Sequence, residues 1–422
     1  MSNPEVWLWI LLVMLPHNSR TNELLRMYGS ALDAARAMRD GNCPLLTEQE
    51  KKRVQTTRTR DVRQLIEQCE KQDIRMITLD DAEYPASLKA IADPPIVLFV
   101  KGSLSALSNA PSLAVVGPRS PSEYGRSVTS RLCTSLSEKG VVLISGLAVG
   151  IDAAAHRAAT GSGGKTIGVL GCGINVNYPA ENHELKEEIV AKGGAVISEL
   201  LPNTAVSAAY FRQRNRIISG LAMGTLVIEA PPQSGSLLTA AHSFEQGRCV
   251  LAIPPHDVTE ERFRGVFPLF RKGAACVGNV HDIFSELVAH YEGEPLFAAA
   301  LSAIRAAGVE PDPISRKRPA RKTAAKEKTP AGSAPAPKTS TTEKAPEVSA
   351  PEAEIPQYNA PVTSGLGEKY DVVANLLRKE PLTTDELIER SEIPHNELCG
   401  ILLELELSDL IIRNQDATYS LK

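Results

Sequence analysis

The chain has 422 residues, with 46 Lys and Arg against 50 Asp and Glu and a formal net charge of −4. That length allows two or three domains, at least one with a large core. The charge rules out a polycation, so any binding of nucleic acid must rest on a local basic patch. The seven cysteines are scattered and never form C-x-x-C, which leaves no disulfide framework and no zinc motif and fits reduced thiols in a cytosol.

In chain order, the first feature is the apolar run VWLWILLVMLP (6–16). Only Glu5 and no basic residue precedes it, no small-residue cleavage site follows, and it is too short to span a bilayer. It reads as a buried helix of a small N-terminal helical domain, residues 1–75, in a cytoplasmic protein with no membrane partner. TNELLRMYGSALDAARAM, with Leu24, Leu25, Ala31 and Leu32 near helical spacing, and TRDVRQLIEQCEKQDI supply further helices. IRMITLDDAEYPASLKAIADPPIVLFVKG is a proline-punctuated connector with one strand, Ile96 to Val100.

From residue 111 the rhythm changes. The short β-branched runs LAVVG, VVLISG, TIGVLG, AVISE, TLVIEA and CVLAIP alternate with helical stretches, among them YGRSVTSRLCTSLSEKG and RNRIISGLAMG. Six strands with helical crossovers predict an α/β domain over residues 76–300, a doubly wound, mostly parallel Rossmann-like sheet covered on both faces. Ligands of such sheets sit outside the carboxyl ends of the strands. The Gly and polar clusters of this chain fall there.

Residues 306–365 are rich in Pro, Ala, Ser, Thr and Lys and poor in large apolar side chains. They cannot bury enough surface to offset the entropy of ordering, so a disordered linker is expected. Its basic run, Arg316, Lys317, Arg318, Arg321 and Lys322, reads as part of a solvated tether before it reads as a nucleic-acid contact. From 366 to 422, three short helical stretches followed by LIIR and TYSL have the pattern of a winged helix, with Thr383 and Glu386 at capping-box spacing. Winged helices often bind DNA. Here Glu389, Glu392, Glu397, Glu404, Glu406 and Asp409 make the module acidic, so a protein contact is at least as good a reading as a duplex.

Two strand-to-helix loops are candidate anion sites. VVGPRSPSEYG ends a strand with Gly117 and puts Arg119, Ser120 and Ser122 ahead of a helix; LISGLAVGIDAAAH repeats the design with Gly146, Gly150 and Asp152. Glycine lets the backbone approach a ligand, and N–H groups at a helix N-terminus favour phosphate, although tight turns of this kind need glycine in any case. A dinucleotide is disfavoured, because LGCGINVNYP has no third glycine; no P-loop and no metal-spaced cluster occur, so no cofactor and no metal are expected. His156, in an alanine-rich helix, reads as a packing or capping residue.

The third candidate is YFRQRNRIISGLAMGTLVIEA (210–230). Arg212, Arg214 and Arg216 fall within five positions, and no acidic side chain lies between Glu199 and Glu229. Positive charge near a helix start opposes the macrodipole, and Phe211 offers a flat apolar face. Cations beside an aromatic ring fit an anionic, stackable partner, with Asn215 placed to bond a base edge or a sugar. Glu199 and Glu229, at strand ends, are expected to orient guanidinium groups.

At these residues the chain resembles the DNA-processing protein A family (DprA, also called Smf). The resemblance rests on VVGPRSPSEYG, SGLAVGIDAAAHRAA, VLGCGINVNYPAEN, FRQRNRIISGL, LVIEAPPQSGSLLTAAHSFEQGRCVLAIP and FRKGA, in family order from about residue 80 to 275. It implies a non-enzymatic protein that binds single-stranded DNA in a basic pocket, protects it and loads the recombinase RecA onto it during natural transformation. The family works past single-strand-binding protein and commonly as a homodimer. Carried onto this chain, the pocket uses Gly117, Arg119 and Ser120, then Gly146, Gly150 and Asp152, then Phe211, Arg212, Arg214, Asn215 and Arg216. Arg212 stands where the family commonly has proline. The flanks resemble the family's helical (sterile-alpha-motif or helix-hairpin-helix) and winged-helix parts.

A competing reading takes EAPPQSGSLLTAAH as the mark of a nucleotide-processing Rossmann protein related to phosphoribohydrolases, with Glu229 catalytic and Arg214 on a monophosphate. A third is a nucleotide sensor signalling through the winged helix. The arginine density favours a polymer, since one phosphate needs only one or two arginines.

Overall fold

The computed structural model describes residues 3–308, 368–391 and further positions between 393 and 421. The linker reading and its basic run fall outside the described residues, apart from 306–308.

Five helices open the chain: α1 (Asn3–Met14), α2 (Ser19–Tyr28), α3 (Ala31–Arg39), α4 (Glu48–Thr56) and α5 (Thr59–Lys71). The first is apolar on all sides and is buried accordingly, with Trp9, Ile10 and Val13 fully enclosed. Sharp starts come from polar caps. Asn18 accepts from the Arg20 N–H, Ser30 from that of Asp33, and Thr47 forms a reciprocal capping box with Glu50.

The α/β part follows in the order β1 (Arg75–Thr78), α6 (Ala86–Lys89), β2 (Val97–Gly102), β3 (Ser112–Val116), α7 (Glu123–Glu138), β4 (Val142–Ser145), α8 (Ile151–Gly161) and β5 (Thr166–Val169). Then come α9 (His183–Ala191), β6 (Ala195–Ser198), α10 (Ala208–Leu221), β7 (Gly224–Val227), α11 (Gly235–Glu245), β8 (Cys249–Ala252), α12 (Val266–Arg271), β9 (Ala275–Cys276), α13 (Val280–Tyr291) and α14 (Ala298–Ala306). The sheet has nine strands in the order β1-β2-β6-β5-β4-β3-β7-β8-β9. From β6 to β9 every neighbour is parallel, while β2 runs antiparallel to β6 and β1 antiparallel to β2. The doubly wound, mostly parallel α/β sheet read from the sequence is present. Two short strands, β1 and β9, had no counterpart in that reading.

Alternation along β3 shows why both faces are covered: Leu113 and Val115 pack with α7, α8 and α13, whereas Ala114 and Val116 face the side of α10 and α11. A third apolar cluster joins Trp9, Met14 and Leu24 of the N-terminal helices to Phe99, Leu147 and Val196 of the α/β part. Strand order reverses at β3. The chain proceeds outward through β4, β5 and β6, then returns through α10 to place β7 on the other side of β3. The crossover helix α10 is the arginine-bearing one, so it meets the carboxyl edge beside the switch point, where open α/β sheets bind ligands.

The C-terminal module holds α15 (Glu368–Leu377), α16 (Thr384–Ser391) and a hairpin of β10 (Ile411–Arg413) and β11 (Tyr419–Leu421). Leu377, Leu387, Leu398, Ile401 and Ile411 form its core. The Thr383–Glu386 capping box is made, with the Thr383 N–H donating to Glu386 at 2.8 Å. Of its acidic residues named above, Glu389 alone is among the described residues. Among the described residues no helix is long and apolar enough to cross a membrane.

Candidate nucleic-acid interface

The loop after β3 is pinned from beneath. Ser122, the N-cap of α7, donates its N–H to Glu229 Oε1 at 2.7 Å and its hydroxyl to Oε2 at 2.6 Å. Its Oγ accepts from the Gly125 N–H at 2.9 Å. Glu229 is fully buried at the end of β7, and both its oxygens are spent on this loop. The expectation that Glu229 orients a guanidinium is therefore corrected: it anchors the loop that carries Arg119. Arg119 is half-buried and Ser120 exposed.

The loop after β4 packs against the first one. Gly150 has φ 85°, and a Cβ there would lie 2.4 Å from the carbonyl oxygens of Pro118 and Arg119. At Gly146 a Cβ would lie 2.5 Å from the Arg214 guanidinium. Gly117 closes against Ile151 in the same way. Close packing inside the chain accounts for these glycines without a ligand. Asp152 is buried, and its Oδ2 accepts from the N–H groups of Gly146 at 3.0 Å and Ala148 at 3.4 Å. It stiffens the loop from within. Burial pushes its carboxyl up, against the pull of Arg214 and of these bonds.

Helix α10 sends its three arginines in three directions. Phe211, Arg214, Ile218 and Leu221 share the buried stripe. Arg214 is 5% exposed and donates from one terminal nitrogen to the carbonyls of Gly146 and Val169, at the ends of β4 and β5. Burial pushes its guanidinium down to about 10; Asp152 opposes that shift and Arg119 adds to it. Arg216 lies sideways. It donates to Glu199 through two bonds of 2.6 and 2.8 Å and to Asp93 at 3.3 Å. Arg212 and Asn215 are half-exposed, and Asn215 donates to the Gly235 carbonyl at 3.3 Å.

Glu199 orients a guanidinium as expected, that of Arg216 from 17 residues away, and Asp93 joins it from 123 away. The run of sequence without acids says nothing about such distant partners. The Phe211 ring, 8% exposed, is not an open face. Gly171 lies against it, Tyr178 is tilted beside it at 5.5 Å, and the guanidinium carbons of Arg214 and Arg119 lie 5.5 and 6.0 Å from its centroid. The ring organises cations rather than awaiting a base. Half-exposed Tyr178 is the aromatic at the edge of this cluster. Its position in the glycine-bearing loop after β5 was the available signal.

The N-terminal helices also reach α10. His17 Nδ1 lies 3.0 Å from Glu199 Oε1, the His17 ring stacks on Tyr210 at 5.5 Å, and Asn22 donates to Asp93 at 2.5 Å. His156 is fully buried with Nδ1 2.7 Å from Thr166 Oγ1, the packing role read from its helix. Among the described residues no group of three His, Cys, Asp or Glu could hold a metal.

The site thus presents Arg119, Arg212 and Ser120 at the surface of a rigid edge, with Arg214 held behind Phe211. Residues 75–288 match the model of the family described as DNA recombination-mediator protein A, and residues 357–416 match that of the DprA winged helix domain. The DNA processing protein DprA of Bacillus subtilis is 41% identical over 216 residues, 51% of this chain and 72% of that protein. Protein Smf of Escherichia coli is 42% identical over 212 residues, 50% of this chain and 56% of that protein. The X-ray structure of DNA processing protein A from Streptococcus pneumoniae superposes with a TM-score of 0.59 at 32% identity, covering 68% of this chain and 98% of that one.

Proposed function

Given that the chain belongs to the DNA recombination-mediator protein A family, the DprA/Smf family, we propose that it binds single-stranded DNA at the carboxyl edge of β3, β4 and β5 and does no chemistry on it. The observation that carries this is the gathering of two guanidinium groups, Arg119 and Arg214, within about 6 Å of one ring. The Arg119 charge pulls the Arg214 pKa down, so the two repel, and a phosphate beside Arg119 relieves the repulsion. Arg212 adds a cation two residues before Arg214, about 200° round the same helix, and the N-termini of α7 and α8, whose dipoles favour an anion, lie at the same edge.

The family supplies the rest of the reading: the bound strand is protected and handed to RecA past single-strand-binding protein, by a homodimer in the cytoplasm. Glu229, with both oxygens on Ser122, does not support the phosphoribohydrolase alternative. Titration of a fluorescent oligonucleotide, with a mononucleotide and a blunt duplex as competitors, tests the binding. Tight single-strand binding whose logarithm falls with log salt by about 0.7 per phosphate contacted is expected. Equal competition by the duplex or a salt-insensitive affinity refutes it. The RecA step is tested by following filament nucleation on coated single strands; an unchanged lag refutes that step alone.

A further inference from the structure

Beside this edge, on the face of the sheet covered by α7 and α8, lies an open cleft of about 570 Å³ that the function above does not use. One wall is α7, with Arg126, Ser130, Thr134 and Glu138 at four-residue spacing. Four residues return to one helix face after a rise of about 6 Å, a step comparable to that between successive phosphates of an extended single strand. The other wall is α8, and it is low: Ala154, Ala158 and Gly161, with Arg157 and Ser162. Small side chains there let a backbone lie close to the helix.

The two arginines join the cleft to the site. Arg126 donates to the carbonyl of Pro121 at 2.7 Å, in the loop that bears Arg119. Arg157 donates to Asn182 Oδ1 at 3.3 Å, and the Asn182 amide donates to the Leu147 carbonyl, in the loop after β4, at 2.9 Å. Each side chain is exposed, spends one donor on a neutral oxygen, and makes no ion pair with a carboxylate among the described residues. A guanidinium has five N–H donors, so each keeps a fork for an anion. Acids flank the cleft, and Glu123 stands three residues before Arg126 on α7. Glu188, which feels the Arg157 charge, pairs with Lys192 at 2.7 Å, and Glu138 closes the lower end.

On the single-strand reading, which this rests on, we propose that the cleft between α7 and α8 is the exit track of the strand. Arg126 and Arg157 take successive phosphates leaving the Arg119 site, Ser130 and Thr134 bond phosphate or sugar oxygens, and Glu138 ends the track. Recognition is of the phosphodiester backbone, without sequence preference.

The test compares two oligonucleotides, the shortest that the wild type holds and one long enough to run from Arg119 past Arg157, on the full chain. In Arg126→Ala/Arg157→Ala the long strand is expected to lose tenfold or more in affinity and about 1.4 from its salt slope, two contacts at about 0.7 each. The short strand is expected to bind as before. Arg126→Lys/Arg157→Lys, which keeps charge, is expected to restore the slope, and melting curves confirm that both variants fold. If the alanine pair binds both lengths like wild type, or loses both equally, the track is wrong. A wild type that holds no oligonucleotide ends the single-strand reading and the track with it. Displacement of a bound acidic peptide in place of the long strand assigns the cleft to a protein and overturns the proposal.

Discussion

Arg216 and Glu199 form a two-pronged ion pair, Nη1 to Oε1 at 2.6 Å and Nη2 to Oε2 at 2.8 Å, with side chains only 12% and 5% exposed. It fastens the crossover helix α10 to the end of β6. Asp93 and His17 close on the same two groups from the connector and from the N-terminal helices.

Removing one partner of such a pair leaves a charge buried. Glu199→Ala is expected to cost about 3–5 kcal/mol, read as a shift in the urea midpoint. Burial pushes the Glu199 carboxyl up, but Arg216 and His17 outweigh it and hold the group below the ordinary 4.5. An acid lowered in the folded state stabilises above 4.5 and loses that contribution as pH falls through its folded value. Wild type is expected to weaken below pH 4.5 more steeply than Glu199→Ala; parallel curves reject the linkage.

Arg119 and Arg214 are expected to separate binding from folding. Arg119→Ala weakens single-strand binding by about 1.5–3 kcal/mol and leaves the melting temperature in place, because the side chain is half-exposed. Arg214→Ala weakens binding too, but the protein also melts earlier. It strands the carbonyls of Gly146 and Val169, at about 1–3 kcal/mol, and empties a buried space. A buried arginine of this kind is not the exposed pocket cation that the sequence implied.

Glu229→Gln probes the anchor under Arg119. The amide puts an NH2 donor where one carboxylate oxygen stood, so the bonds donated by the Ser122 N–H and hydroxyl to the two oxygens cannot both be kept in place. A loss of about 1–3 kcal/mol of stability and weaker DNA binding are expected, with no base released from a nucleotide monophosphate by either protein. Release by wild type that Glu229→Gln abolishes would reinstate the enzyme.

Burial, then Arg214 and Arg157, push the His156 imidazole from 6.5 down to about 3. Its unfolded form protonates first, so stability is full above pH 6.5 and falls by about 1.4 kcal/mol per unit between 6.5 and 3. His156→Asn is expected to lack that component. Denaturation series from pH 7 to 4 on both proteins supply the comparison, and identical slopes reject the assignment.

Truncation after residue 308 is expected to keep single-strand affinity within a factor of ten, about 1.4 kcal/mol, because every side chain proposed to meet the strand lies before it. A larger loss moves the site into the linker or the winged helix.

The parallel sheet was legible because each strand buried on both faces reads as a β-branched run, as LAVV and VLIS do. Strands β1 and β9 escaped for the same reason in reverse. Arg75–Thr78 has an exposed end, and Ala275–Cys276 is two residues long. Within the site, local chemistry was visible: the loop glycines, the arginines, the ring. Direction was not. Positions 212, 214 and 216 are neighbours in a string, but each step of two turns about 200° around a helix of 3.6 residues per turn, which sets 214 opposite the other two. Which of them turns inward depends on where β4 and β5 end. Asp93 carried no signal, since only folding brings the connector to α10.

Trp9, Phe99 and Val196 are all fully enclosed in one apolar cluster shared by the first helix and the sheet. Exchanging the leading helices for another module would therefore replace one side of a hydrophobic interior at one stroke. Such swaps are constrained to modules whose underside has the same relief, and a recombinant gene cut near residue 75 inherits a bare sheet face and a misaligned arginine helix together.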